Sequence, residues 1–123
     1  MKGFVHLHLH SQYSLLDGTI QFGPLVRRVK ELGMPAVAVT DHGGMMGTIE
    51  FYEEANKGGV KPIIGTEIYV APGSREERKV APNGEYAYHL VLLAENAAGY
   101  RNLLRLSSLA QTEGFYYKPR VDK

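Results

Sequence analysis

Five histidines and two carboxylates hold most of the chemistry this chain can offer. His6, His8 and His10 alternate with Val5, Leu7 and Leu9 over residues 4–10. A period of two puts the three imidazoles on one face of an extended segment, so His8 and His10, two residues apart, can converge on one cation. Asp41-His42 follows directly on the apolar run Ala36–Thr40. Glu67 lies inside another apolar run, two residues after Gly65, where an unpartnered carboxylate would cost several kcal/mol (~2–7) and so demands a cation or donors. Asp17 precedes Gly18 in a turn-prone stretch, and His89 stands at the start of a further apolar run. Imidazole suits Zn, Mn, Fe and Ni, and carboxylate oxygen broadens the choice toward Mn and Mg.

Each of these residues also has a plainer reading. Alternating histidines can be polar surface, Asp41 can cap a helix or turn, and Asp17 can serve the turn it sits in. Glu67 can pair with a Lys or Arg, and His89 can be a hydrogen-bonded core histidine. The conjunction carries more weight than any member, because successive strand regions deliver His8 and His10, then His42, then Glu67. That is the pattern of a polynuclear metal site on a common rim.

The elements that must position them read as follows. Residues 4–10 form a first strand, and Ser11–Gly18 a polar loop. Pro24 opens a helix that runs through Leu25, Val26, Val29 and Leu32 to a stop at Gly33. Ala36–Thr40 is a short strand buried on both faces, Gly47–Asn56 a helix, and Val60–Val70 a third strand. Residues 71–86 are a loop, His89–Ala94 a fourth strand, and Asn96 caps a helix through Ala110 with Tyr100, Leu103, Leu104 and Ser107 on its inner side. Residues 114–123 show no periodicity. Strand–helix alternation means an α/β fold with mainly parallel strands, whose C-terminal ends share one side where a site forms.

Composition narrows the classes further. The 14 Lys and Arg against 13 Asp and Glu leave a net charge of +1, unlike a dedicated nucleic-acid binder with a basic stripe. Bound metals can still supply the charge that grips a polynucleotide. There is no cysteine, which excludes disulfides and thiolate ligands within these residues. No run approaches the ~20 apolar residues of a membrane span, and no signal-peptide layout is present, so a cytoplasmic protein with no membrane partner is expected.

The motifs taken together resemble the polymerase and histidinol phosphatase (PHP) domain. They are Phe4–Ser11 leading into Tyr13–Gly18, then Thr40-Asp41-His42-Gly43, Pro62–Glu67 and Tyr88–Ala94. With Gly114–Arg120, they are similar to the branch at the N-terminus of bacterial replicative DNA polymerase III alpha subunits. The resemblance implies a distorted seven-stranded (β/α) barrel, of which residues 1–123 would be a single domain truncated on its C-terminal side. It implies up to three divalent metals (Zn, Mn or Fe), with His8, His10, Asp17, His42, Glu67 and His89 as ligands. His6 and Asp41 would be neighbours that orient them. The family completes its cluster with a Cys and an Asp-x-His pair from later strands, so low activity is expected of these residues alone. In the intact domain the implied function is metal-dependent phosphoester hydrolysis, as 3′→5′ exonuclease proofreading on the 3′ end of DNA, among other polymerase domains and replisome subunits. A non-catalytic scaffold of the polymerase and a stand-alone phosphatase are the alternatives. Arg75–Lys79 is expected to be a solvated loop. Lys118 and Arg120, beside Tyr116 and Tyr117, could meet phosphate or stack on bases, or pack against further parts of a barrel.

Overall fold

The structure, a computed structural model, describes residues 3–123. The element order is α1 (Phe22–Glu31), β1 (Ala36–Val39), α2 (Thr48–Gly58), β2 (Lys61–Val70), β3 (Tyr88–Leu93), α3 (Ala97–Thr112) and β4 (Arg120–Val121). β2 is the organising strand of a four-stranded sheet, and its first half pairs in parallel with β1, from Ala36 opposite Lys61 to Val39 opposite Ile64. Its second half pairs antiparallel with β3 and, at Tyr69 and Val70, in parallel with β4.

The apolar pattern explains two cores. Phe22, Val26 and Val29 of α1 pack with Met34, with Val37 and Val39 of β1, and with Phe51 and Ala55 of α2. A smaller cluster joins Ile68, Ala110 and Val121, with Val70, Leu92 and Leu106 against it. β1 is buried along its whole length, as the unbroken apolar run requires. The Asn96 side chain caps α3 by accepting from the Gly99 N–H at 3.0 Å.

Four expectations need correction. Residues 4–10 run beside β1, where the Ala38 N–H donates to His6 O and the Thr40 N–H to Leu9 O, yet they form no regular strand. α1 begins at Phe22, so Pro24 is its third residue rather than its first; its missing N–H still falls among the unpaired donors of a first turn. The inner face of α3 runs through Leu103, Leu106 and Ala110, while Leu104 is 39% exposed. β3 runs against β2 rather than with it, so the common-rim expectation fails for that strand.

The closing residues are also more ordered than their lack of periodicity suggests. Arg120 is fully buried in β4. Its guanidinium donates to the carbonyls of Gly114 (3.1 Å), Arg75 (3.1 Å), Glu77 (2.9 Å) and Tyr86 (3.4 Å), and it lies over the Tyr116 ring. Burial pulls its pKa down from the ordinary arginine value. Arg120 is therefore a structural tie, not a phosphate ligand. Arg75, expected in a solvated loop, bridges Glu113 (2.7 Å) and Asp122 (2.8 Å). Among the described residues no helix is long and apolar enough to cross a membrane.

Candidate metal centre

Glu67 sits near the end of β2 with its side chain 7% exposed. Four imidazoles surround its carboxylate. His8 Nε2 lies 2.7 Å and His10 Nε2 2.5 Å from Oε2, while His42 Nδ1 lies 3.7 Å from the same oxygen. His89 Nδ1 lies 2.8 Å from Oε1. Asp17 approaches from the loop, its Oδ2 2.6 Å from His42 Nε2 and 3.9 Å from His10 Nδ1. Burial pushes the Glu67 carboxyl up, but the hydrogen bonds from His8, His89 and His10, with the nearby His42, outweigh it and hold the group at about 2.

Each ligand position has a backbone reason. His8 and His10 come from the extended segment, which Thr40 holds against β1 through the Leu9 N–H (3.0 Å to Oγ1). His42 continues β1 and bridges Glu67 in parallel, locked by Glu67 N–H to Asp41 O and Gly43 N–H to Glu67 O, both 2.9 Å. His89 opens β3 opposite Tyr69. Because β3 is antiparallel, its beginning meets the end of β2. A histidine at the start of a strand thus reaches the same rim as residues at the ends of others.

Asp17 depends on the loop 11–18, and Asp41 ties that loop down. Asp41 is buried, and its Oδ1 accepts from the Ser11 N–H (2.6 Å) and the Ser14 hydroxyl (2.7 Å), while Oδ2 accepts from the Ser11 hydroxyl (2.7 Å). Ser14 Oγ in turn accepts from the His42 N–H at 3.1 Å. At Gly18 the backbone comes so close to Ser11 that a Cβ would lie 2.0 Å from its carbonyl oxygen. Gly18→Ala should therefore displace Asp17 and cost about 2–3 kcal/mol, the upper part of the ordinary range for single substitutions. Urea denaturation with and without added Mn²⁺ checks both effects, and an unchanged midpoint would refute the steric argument.

The sequence expectations thus converge for His8, His10, Asp17, His42, Glu67 and His89. They form three overlapping groups, His8–His10–Glu67, His10–Asp17–His42 and His42–Glu67–His89, each with ligand atoms within 4.8 Å of one another. His6 does not join them; its ring is exposed and meets the edge of Phe4. Ser11, Ser14 and Tyr69 were missed. The Tyr69 ring stacks parallel to His42 (6.0 Å, 10°) and meets His89 edge-on (5.0 Å). Burial, then the charges of Glu67 and Asp17, raise its pKa. The serines left one trace in the sequence: two hydroxyls three residues apart in a stretch leading straight from His10.

Hydrogen bonding alone does not satisfy this cluster. Both ring nitrogens of His42 are buried and without a hydrogen-bond partner among the described residues, despite the nearby carboxylate oxygens. Buried polar atoms are rarely left so. Lone pairs of imidazole and carboxylate directed into one space are what a divalent cation requires, and this donor set fits Zn, Mn or Fe.

The PHP domain family matches residues 6–123. The DNA polymerase III alpha subunit of Treponema pallidum is 56% identical over 119 residues, covering 97% of this chain and 10% of that protein. Those of Borreliella burgdorferi (51% over 120 residues, 98% and 10%) and Aquifex aeolicus (49% over 126 residues, 98% and 11%) are similar to the same extent. The chain spans about a tenth of the length of these relatives. Among solved structures, an amidohydrolase from Chromobacterium violaceum with bound sulfate superimposes with a TM-score of 0.56 at 24% identity, over 87% of this chain and 36% of that one. A candidate metal-dependent phosphoesterase from Bifidobacterium adolescentis gives 0.50 at 21%, over 87% and 33%. At those identities the likeness speaks for the fold, a partial (β/α) barrel. The family match along nearly the whole chain, with half-identity to DNA polymerase III alpha subunits, makes this chain a member of the PHP domain family.

Proposed function

We propose that this PHP domain hydrolyses phosphoesters with divalent metals held by His8, His10, Asp17, His42, Glu67 and His89, acting on the 3′ end of DNA within a replicative polymerase. The observation that carries this reading is the convergence of six potential ligands into three overlapping groups around the buried Glu67. Each neutral imidazole would serve one cation, whereas the two oxygens of Glu67 could serve two, so Glu67 is the residue that would hold a cluster together. When bound, such cations neutralise phosphate oxygens and acidify water for in-line attack.

The chain's own residues supply the rest. Glu67 places a buried negative charge at the centre, and the imidazoles add donors without adding charge when neutral. Asp17, 63% exposed, is the most solvent-open of the six candidate ligands. Asp41 acts through Ser11 and Ser14, keeping the Asp17 loop and the His42 backbone in register.

A second reading, a non-catalytic module that organises neighbouring polymerase domains, is favoured by β3. Its Tyr88, Leu90 and Leu93 are exposed, and among the described residues it pairs only with β2, an apolar edge on which later strands of the barrel or another domain could pack. The two readings separate in one experiment on the intact polymerase subunit. Elemental analysis should find stoichiometric Zn, Mn or Fe, and a labelled oligonucleotide should shorten from its 3′ end in a chelator-sensitive way. Absence of stoichiometric metal would leave the scaffold.

A further inference from the structure

We propose that Tyr117 and Lys118 form a subsite for the nucleotide next to the reacting phosphate, the base stacking on Tyr117 and the phosphate pairing with Lys118. The substrate is then a single-stranded polynucleotide rather than a small phosphomonoester. The inference rests on the phosphoesterase reading for the neighbouring chemistry, but on residues outside the metal centre.

Three observations support it. The segment around Lys118 forms part of the site's wall. Lys118 Nζ lies 5.3 Å from the centre of the Tyr69 ring, the ring that stacks on His42 and touches His89. Gly43, next to His42, has a left-handed φ of 60°, and a Cβ there would come within 2.9 Å of both Pro119 Cγ and Tyr69 Cε2. The loop that carries His42 and the segment that carries Lys118 are thus in direct contact.

Tyr117 is the second observation. Its φ of 58° is a conformation that side chains rarely adopt, and such strain gathers at sites of function. The turn is closed by the Tyr116 N–H donating to Lys118 O at 3.0 Å. The result is an aromatic ring 65% exposed, backed on one side by Tyr86 at 4.3 Å and 33°. Tyr86 supports one side and Tyr116 meets the ring at a steep angle (4.8 Å, 74°), while most of the ring remains open to solvent, which is how a stacking platform is built.

Charge is the third. Lys118 is exposed and has no carboxylate within ion-pair distance among the described residues, whereas Arg75 is paired and Arg120 is buried among carbonyls. A cation without a carboxylate partner and an exposed aromatic ring side by side match the phosphate and the base of one nucleotide. A sugar or alcohol phosphomonoester has no base to use the platform.

The test uses the full-length polymerase subunit and a short single-stranded oligodeoxynucleotide carrying 2-aminopurine next to its 3′ end, with chelator present so that no turnover removes the probe. Binding should quench the aminopurine. Tyr117→Ala should relieve the quench and weaken binding about tenfold, the usual effect of losing one base–aromatic stack, and Tyr117→Phe should retain both. Lys118→Gln should lower the slope of log affinity against log salt by about 0.7, the value for one single-strand phosphate. Wild-type affinity and quench in Tyr117→Ala, or no binding of the probe at all, would overturn the proposal. So would a fall in unfolding midpoint for Tyr117→Ala with the quench intact, which would assign the ring to packing against another protein segment. Hydrolysis by the wild type is scored separately. Its absence beside a Tyr117-dependent quench removes only the phosphoesterase reading, and its presence beside an unaltered quench removes only the subsite.

Discussion

Replacing Glu67 with glutamine should strip the domain of divalent metal and, with it, of phosphoester hydrolysis. Glu67 belongs to two of the three ligand groups and faces four imidazoles. Losing an outer partner of a ligand already costs about 10–100-fold in metal affinity, and a shared ligand should cost more than that. The checks are metal content by elemental analysis and turnover of bis(p-nitrophenyl) phosphate. Near-stoichiometric metal in Glu67→Gln would overthrow the assignment of the centre. The metal-free protein makes a companion prediction. The carboxyl is depressed from 4.5 to about 2, so the folded state favours its anion. That contribution to stability is fully present above about 4.5 and lost as pH falls toward 2. Glu67→Gln should remove this part of the acid sensitivity, read as a flatter dependence of the urea midpoint on pH across that window.

Arg120→Met should be the most destabilising substitution outside the site, by about 3 kcal/mol or more. Methionine fills much of the volume but leaves the carbonyls of Arg75, Glu77 and Tyr86 without the guanidinium donor, and Gly114 O with only the backbone N–H of residue 120. Each buried acceptor so abandoned costs about 1–3 kcal/mol, less where water can enter. Arg120→Lys should recover little, because one ammonium on a flexible stem cannot span four carbonyls as a planar fork does. Urea denaturation of both variants decides the matter; a loss below 1 kcal/mol would mean that water replaces the guanidinium without penalty.

The candidate site was legible because its residues obey rules that need no tertiary knowledge. Extended backbone throws His8 and His10 to one side, a buried run ends on Asp41-His42, and a carboxylate at position 67 inside an apolar strand has no cheap resting state. Strand direction was not legible. Val91, Leu92 and Leu93 fit either orientation, since a period-two pattern fixes faces and not polarity. The connection held a clue: residues 71–86 carry no helix pattern, whereas a parallel return usually contains one. Arg120 defeated the reading because arginine is nearly always at the surface, and only the three-dimensional path of the loop reveals the carbonyls that surround it. Residues 4–10 kept the alternation of a strand but lie beside β1 through isolated bonds, a difference that side-chain pattern alone does not encode.

The tie made by Arg120 reaches 34 to 45 residues back along the chain. Translation delivers the amino-terminal part first, at roughly 5–20 residues per second. The helices and strand that position His42 can thus pack while the ribosome is still adding later residues. The loop of residues 71–86, which Arg120 holds by the carbonyls of Arg75, Glu77 and Tyr86, must wait for that anchor until the arginine codon has been read and its product has cleared the exit tunnel. Closure of that loop is thereby timed by synthesis, whereas His89 is already brought to Glu67 by the pairing of β3 with β2.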